Sequence, residues 1–281
     1  MIQVIDLSFS YTKNTFLEDI NFQVAKGEIF GFLGPSGAGK STLQKILTGL
    51  IKTYGGNSIV NGFESKNYNN DFYQNIGVDF EFSSLYEKLT GKQNLQYFGS
   101  LYSKNLRNLD DLLKAVGLQN DCDKKVSDYS KGMKSRLNFI KALLHNPDIL
   151  FLDEPTSGLD PNNSRDMKNI ILEEKAKGKT IILTTHNMLD ATELCDRVAF
   201  IVDGKIKALD SPHNLIMSKG AAKIKYTYIE NGEKTRECLL NKTDEDKKFH
   251  ELIQNNQIVS IHSSEPTLND IFMDVTGRVL Q

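Results

Sequence analysis

Cysteine is scarce: Cys122, Cys195 and Cys238 stand far apart in 281 residues, with no spacing that suits a metal site or a disulfide framework. The chain reads as carrying unpaired thiols in a reducing compartment, and a cysteine-stapled toxin is excluded. An excess of one charge is missing as well. There are 34 basic residues against 36 acidic, a net of -2, with the signs mixed along the chain. That leaves no basic stripe for a nucleic-acid face, and no nucleic-acid partner is expected. Long apolar runs are also wanting. Ile149 to Leu152 and Val198 to Val202 are among the longest, and a spanning helix needs ~20 residues. Any work at a membrane then requires another protein to cross it. The opening MIQVIDLSFSY has no basic stretch leading into an apolar run, so it reads as a strand and not as a signal peptide. No repeat or low-complexity segment interrupts the pattern.

What is present suffices for about two ordinary domains, with a hydrophobic share of 39% that fits a folded globular chain. Short β-rich runs alternate with amphipathic helical stretches, which predicts an α/β layer fold. The runs Glu28 to Leu33, Ile149 to Leu152 and Thr180 to Thr185 are nearly continuous in apolar or β-branched residues, as strands covered on both faces are. They are candidates for a central parallel sheet. Between the first two lies a helical subdomain, about 82–146. Thr90 and Gln93 form a capping box ahead of Leu95, Phe98 and Leu101, and a second stripe, Leu109, Leu112, Leu113 and Val116, ends at Gly117. The division expected is 1–218 for the main domain and 219–281 for a small C-terminal module. In that module Lys223 to Ile229, an Asn231-Gly232 turn and Lys234 to Leu240 read as a hairpin, followed by a helix from Asp244 and a Pro-started helix near Pro266.

The chemistry begins at Gly34-Pro35-Ser36-Gly37-Ala38-Gly39-Lys40-Ser41-Thr42, between the strand ending at Leu33 and a helical stretch from Leu43. This is the phosphate-binding loop pattern in its strand-loop-helix context. Glycines let the backbone wrap closely, so amide hydrogens and a helix N-terminus point at phosphate oxygens. Lys40 neutralises phosphate charge, and Ser41 offers a hydroxyl to Mg2+. The run Asp148 to Glu154 is an apolar strand delivering two carboxylates at its end. Asp153 suits Mg2+ and Glu154 suits a base that polarises water, although alone the pair equally caps the turn at Pro155.

In order from Tyr11 to His186, these motifs resemble those of the ATP-binding cassette (ABC) ATPases. Tyr129-Ser130-Lys131-Gly132-Met133 is similar to the family signature Leu-Ser-Gly-Gly-Gln, with Tyr129 and Lys131 as departures. Locally it is also an ordinary helix start capped by Ser130. Ser157 to Asp160 resembles the D-loop, and His186 the switch histidine. Tyr11 stands where the family stacks an aromatic ring on adenine, or it is a strand-end aromatic on the core. Glu81 falls where most members carry the Q-loop glutamine and, with Leu85-Tyr86 and Leu89 to Gly91, resembles the bacterial subgroup of bacitracin and lantibiotic resistance.

The resemblance implies a P-loop cassette with a RecA-like α/β core, an antiparallel β subdomain, the helical insert and a small α+β C-terminal module. It implies ATP and Mg2+ as ligands, with Lys40, Glu154 and His186 catalytic and Ser41, Glu81 and Asp153 toward the metal. A carboxylate at Glu81 only accepts hydrogen bonds and adds negative charge beside the triphosphate, so it is expected to report metal occupancy to the helical subdomain. The resemblance also implies a dimer, homo- or hetero-, in which residues 130–133 reach the partner's nucleotide. A separate integral-membrane permease is expected to dock beside the Glu81 loop near Phe80, Phe82, Leu85 and Tyr86, with the chain peripheral on the cytoplasmic face and exporting a peptide or drug. The alternatives are a soluble member acting on nucleic acid or ribosomes, which lacks its usual insertions here, and an unrelated P-loop kinase, which has no reason to carry the Ser130 segment and His186.

Overall fold

The computed structural model describes residues 1–80, 84–219, 223–230, 232–264 and 266–277. In chain order the elements are β1 (Ile2–Phe9), β2 (Leu17–Val24), β3 (Ile29–Leu33), α1 (Lys40–Leu47), β4 (Gly55–Val60), β5 (Phe63–Glu64), α2 (Asn70–Tyr73), β6 (Ile76–Asp79), α3 (Gly91–Gly99), α4 (Leu109–Ala115) and α5 (Lys131–Leu143). Then come β7 (Ile149–Asp153), α6 (Pro161–Ala176), β8 (Thr180–Thr185), α7 (Met188–Leu194), β9 (Arg197–Val202), β10 (Lys205–Asp210), α8 (Pro212–Lys219), β11 (Lys223–Ile229), β12 (Glu233–Leu239), α9 (Lys247–Gln254), β13 (Ile258–Ser264) and α10 (Leu268–Thr276). They gather into two compact units, residues 1–209 and 210–280.

The first unit is built on a six-stranded sheet in the order β10-β9-β3-β8-β7-β6, with β9, β3, β8, β7 and β6 pairing in parallel. Every residue of β3, β7 and β8 is buried, which is why these segments carry no polar alternation. A second sheet, β2-β1-β4-β5, is antiparallel. Its strand β2 turns Leu17, Ile20, Phe22 and Val24 inward and leaves the polar residues between them exposed. The two sheets share one core. Phe22 of the second sheet stacks on Phe30 (5.4 Å) and meets Phe32 edge-on (5.2 Å), while Leu43, Ile46 and Leu47 of α1 close the same cluster. Burial of each such side chain contributes about 1.5–3 kcal/mol.

The helical insert follows the expected signals. Thr90 and Gln93 form a reciprocal capping box on α3, and Gly117, at φ +64°, ends the α4 turn. Ser130 caps α5 by accepting the Met133 amide at 3.2 Å. Along α5, Leu137, Ile140 and Leu144 are fully buried, while Met133 is half-buried. Tyr129, where the family pattern has leucine, is buried with its hydroxyl donating to the Asp121 carbonyl at 2.8 Å. A side chain at Gly91 would collide with that hydroxyl, so the pair Gly91 and Tyr129 is a matched packing solution. The insert is fastened to the core by Arg107, paired at 2.8 Å with the fully buried Glu174 of α6.

In the second unit β12-β11-β13 form an antiparallel sheet over Tyr226, Tyr228, Phe249 and Leu252. Asn231 of the expected turn lies outside the described residues; Gly232 sits at φ +120°. The helix expected from Asp244 begins instead at Lys247. Leu240–Glu245 form a 3-10 turn, and the Asp246 carboxylate caps α9 by accepting the amides of Lys248 and Phe249, each at 3.1 Å. Nor is the last helix Pro-started. Thr267 is its cap, in a capping box with Asp270, and Pro266 lies outside it. Its buried side is Leu268, Ile271 and Phe272, as the sequence suggests.

His145 pins the end of α5 to β6. It is fully buried, stacked on Tyr102 with ring centroids 3.6 Å apart, and its Nε2–H donates to the Ile76 carbonyl at 2.8 Å. A carbonyl only accepts, so the neutral ring carries its proton on Nε2, and Nδ1 has no partner among the described residues. Burial pulls the imidazole down from 6.5 to about 4. The unfolded chain therefore takes up the proton first, and stability present above pH 6.5 is lost as pH falls toward 4, by about 3 kcal/mol in all. Denaturant titrations at pH 7.5 and pH 5 should show His145→Phe losing about 2 kcal/mol less than the wild type across that interval. Equal losses in the two proteins would contradict this.

Candidate functional site

Three chemical segments leave the sheet at the same edge. The loop from Gly34 follows β3, Glu154 follows β7 and His186 follows β8. The parallel register sets Leu33 opposite Thr185 and Asp153 opposite Thr184, so the segments start level with one another. That edge is the carboxyl side of an open parallel sheet, where ligands of α/β folds bind.

The loop can only be built from glycine at two points. A Cβ on Gly34 would lie 2.1 Å from the Ile201 carbonyl oxygen. Gly39 is the N-cap of α1 at φ +111°, where a Cβ would strike Leu17. As N-cap it supplies no side-chain acceptor, and the first turn of α1 has no acid. The leading amides of α1 therefore face outward as donors for an anion. Lys40 is 8% exposed, with Nζ donating to the carbonyls of Gly34 (2.6 Å) and Pro35 (3.1 Å), directly over the loop. The resulting cavity, about 340 Å³, is lined by the loop from Ser36 to Thr42 together with Phe16, Asp153, Glu154, Ser157 and His186.

Asp153 is 6% exposed; the Thr184 hydroxyl donates to its Oδ1, and Ser41 Oγ donates to the same oxygen at 3.4 Å. No lysine or arginine forms an ion pair with Asp153 among the described residues. A buried carboxylate partnered only by hydroxyls is a hard oxygen donor set suited to Mg2+, with most of the coordination left to phosphate and water. Among the described residues no group of three or more His, Cys, Asp or Glu is placed to hold a metal ion.

Glu154 adopts φ +51°, in the left-handed region where a non-glycine residue stores about 1–3 kcal/mol. Its amide donates to the Thr184 carbonyl at 3.0 Å, and its Oε1 meets His186 Nδ1 at 2.9 Å. The forced backbone swings the carboxylate off the strand axis and toward the histidine. Burial raises the Glu154 carboxyl above its ordinary range, and the bond from His186 opposes that rise.

Tyr11 stands at the rim. It packs edge-on against Phe9 (4.6 Å) and Phe16 (5.4 Å), its hydroxyl lies 3.0 Å from Thr42 Oγ1, and its ring is 59% exposed. The aromatic that lines the cavity is Phe16, which sequence reasoning missed; its place just before β2, five residues past Tyr11, was the available signal. Asp160 caps α6, accepting the amides of Asn162 and Asn163, each at 3.1 Å. Glu81 lies outside the described residues.

The Ser130 segment is elsewhere. None of residues 130–133 lines the phosphate-loop cavity of its own chain. Lys131 instead lines a neighbouring cavity of about 380 Å³ with Asp79, Phe80, Lys134 and Asn138, and the two cavities share only Asp153, Glu154 and Ser157. Its ammonium end lies beside Gly158, 3.6 Å from where a Cβ would be.

A glycine-shaped anion loop, a hydroxyl-supported aspartate and a glutamate–histidine pair on one parallel-sheet edge define a P-loop nucleoside triphosphatase. The chain belongs to the ABC transporter family, whose model matches residues 17–157, and is an ATP-binding, ATP-hydrolysing member. It is 47% identical over 284 residues to a fluoroquinolones export ATP-binding protein of Mycobacterium tuberculosis, covering 100% of this chain and 94% of the relative. It is 30% identical over 310 residues to a linearmycin resistance ATP-binding protein of Bacillus subtilis, covering 100% of both. A lantibiotic transport ATP-binding protein of Streptococcus pyogenes is 36% identical over 76% of this chain and 94% of its own, which agrees with the expected subgroup. Among solved structures, an ATP-binding subunit of an ABC transporter superposes with a TM-score of 0.72 at 31% identity, covering 77% of this chain and 92% of that one. The cassette fold expected from the motifs is thus the fold found.

Removing the His186 ring deletes the interaction that favours ionised Glu154. The carboxyl of His186→Ala should therefore titrate higher, and the acid limb of its kcat–pH profile at saturating ATP should shift to higher pH than in the wild type. An unmoved or lowered limb would show that the pair does not govern the titration.

Proposed function

We propose that this chain is the ATP-hydrolysing half of an exporter. Two copies, or one copy and a homologue, close head to tail around ATP and drive a separate membrane permease. The observation that carries this reading is the separation of Ser130–Met133 from the phosphate loop within one chain, since the helix start that resembles the signature faces another cavity. A second chain supplies the missing wall. ATP then binds the closed pair better than the open one, and shifts the population by that difference.

Within each site the loop amides, Lys40 and Tyr11 hold the nucleotide, while Ser41 and Asp153, with Glu81, hold Mg2+, which screens the phosphate charge when bound. Glu154 takes the proton of the attacking water, and His186 keeps that carboxylate ionised and aimed. Positioned base catalysis of this kind contributes about 10²–10⁴-fold. Asp160 fixes the start of α6 behind the D-loop, close to the seam. The fluoroquinolone, linearmycin and lantibiotic relatives support export of a drug or peptide.

No helix among the described residues is long and apolar enough to cross a membrane, and the proposal assigns the crossing to a permease. A groove of about 600 Å³ beside Phe80 supports its docking place. Leu50, Tyr73, Phe98, Leu101 and Tyr102 line it, with Leu50 60% and Leu101 59% exposed. An amphipathic helix laid in an apolar groove is the matching mode of recognition. The chain then sits peripherally on the cytoplasmic face, and the second unit, expected from the sequence over 219–281 and beginning at Asp210, forms an accessory module.

Blocking hydrolysis while leaving binding intact tests the proposal. Glu154→Gln with excess ATP and Mg2+ is expected to double its mass by light scattering, and to carry a multi-span protein with it when purified from membrane extracts. A persistent monomer would overturn the shared site, and co-purifying ribosomal or nucleic-acid material would replace the exporter with the soluble alternative.

A further inference from the structure

The cavity lined by Asp153 and Glu154 and the apolar groove meet at Phe80, just past the end of β6, and Phe80 and Ser84 are held by two side chains of α5. Asn138 is 3% exposed and Asp79, the last residue of β6, is 4% exposed. Asn138 Nδ2 donates to Asp79 Oδ1 and also to the Phe80 carbonyl at 3.2 Å. Asn138 Oδ1 accepts Lys141 Nζ at 2.6 Å, and the same ammonium donates to Ser84 Oγ at 2.8 Å while lying 4.7 Å above the Phe98 ring. The amide of Asn138 thus spends both its donors and its acceptor in one buried network, which fixes a single arrangement. Asp79 and Asn138 line the cavity that contains Asp153 and Glu154; Ser84 and Lys141 line the groove; Phe80 lines both.

We infer that Asn138 and Lys141, one turn apart on α5, are positioning residues that clasp the chain at Phe80 and at Ser84, so that the groove and the helix beginning at Ser130 move together. The inference rests on the reading of that groove and helix given above, and deepens it by naming the link. A helix is a stiff lever over this distance: α5 runs 13 residues from Lys131 to Leu143, with its capped end toward the partner's nucleotide and the clasp in its second half. Displacing Ser130 must therefore either carry Phe80 and Ser84 along or break the Asn138 and Lys141 bonds. Breaking them strands the buried Asp79 carboxylate and the Asn138 amide without partners, which burial makes costly. Carrying them along is cheaper.

The chain contains no tryptophan, so Tyr86→Trp installs a single reporter at a position whose ring contacts Phe98 (5.7 Å). ATP with Mg2+ is expected to shift its emission. Adding Lys141→Met should cut the amplitude at least about fivefold, the low end of ordinary coupling energies, with ATP affinity held within about threefold. Lys141→Arg should restore most of the response, and Asn138→Ala should mimic the methionine variant. An undiminished response in Lys141→Met would overturn the clasp. So would a parallel loss of ATP affinity, since that marks a merely structural role, and so would a silent reporter in the otherwise native chain. If that chain instead failed to bind ATP at all, the proposed function itself would fall.

Discussion

Everything at the nucleotide site depends on the parallel pairing of β3, β8 and β7 in one register. Because Leu33 lies opposite Thr185 and Thr184 opposite Asp153, three segments far apart in sequence begin their loops at the same height. Slipping one strand by a single residue would reverse its side chains and turn Asp153 away from Ser41. The all-buried strands make such a slip costly, since the fitted packing on both faces would be lost. Catalytic geometry is thus held by hydrophobic burial in the sheet beneath it. Thr184 contributes twice, its hydroxyl fixing Asp153 and its carbonyl fixing the strained Glu154.

The second constraint is division. The phosphate loop and His186 line one cavity and Lys131 at the α5 start lines a neighbouring one, with Asp153 and Glu154 in both. In the proposed function nucleotide binds the closed pair better than the open one, and that difference shifts the population. Among the described residues the helical insert is tied to the core by apolar packing of α5 on β6 and by polar contacts that include Arg107 on Glu174, His145 on Ile76, and Asn138 with Lys141 at the end of β6.

Much of this was legible in the residues. The phosphate loop, the acidic strand end and the caps at Thr90, Ser130 and Asp160 are local signals, set by glycine freedom and by side chains that bond backbone within three positions. The helix starts at Lys247 and Leu268 were displaced in the reading because the caps that fixed them, Asp246 and Thr267, competed with nearby residues of similar propensity. Thr184, Asn138 and Lys141 were not legible at all. Their importance comes from partners brought near by the sheet or by α5 crossing β6, such as Asp79 against Asn138, 59 positions apart. No local pattern encodes that meeting.

The central claim is that one chain holds half of each working site. ATP hydrolysis per chain, measured from dilutions where sedimentation finds only single copies up to concentrations where pairs form, tests it most directly. The account predicts a specific rate that climbs with concentration and levels off once pairing is complete. A specific rate that is already maximal in the single-copy range, and flat thereafter, would contradict it.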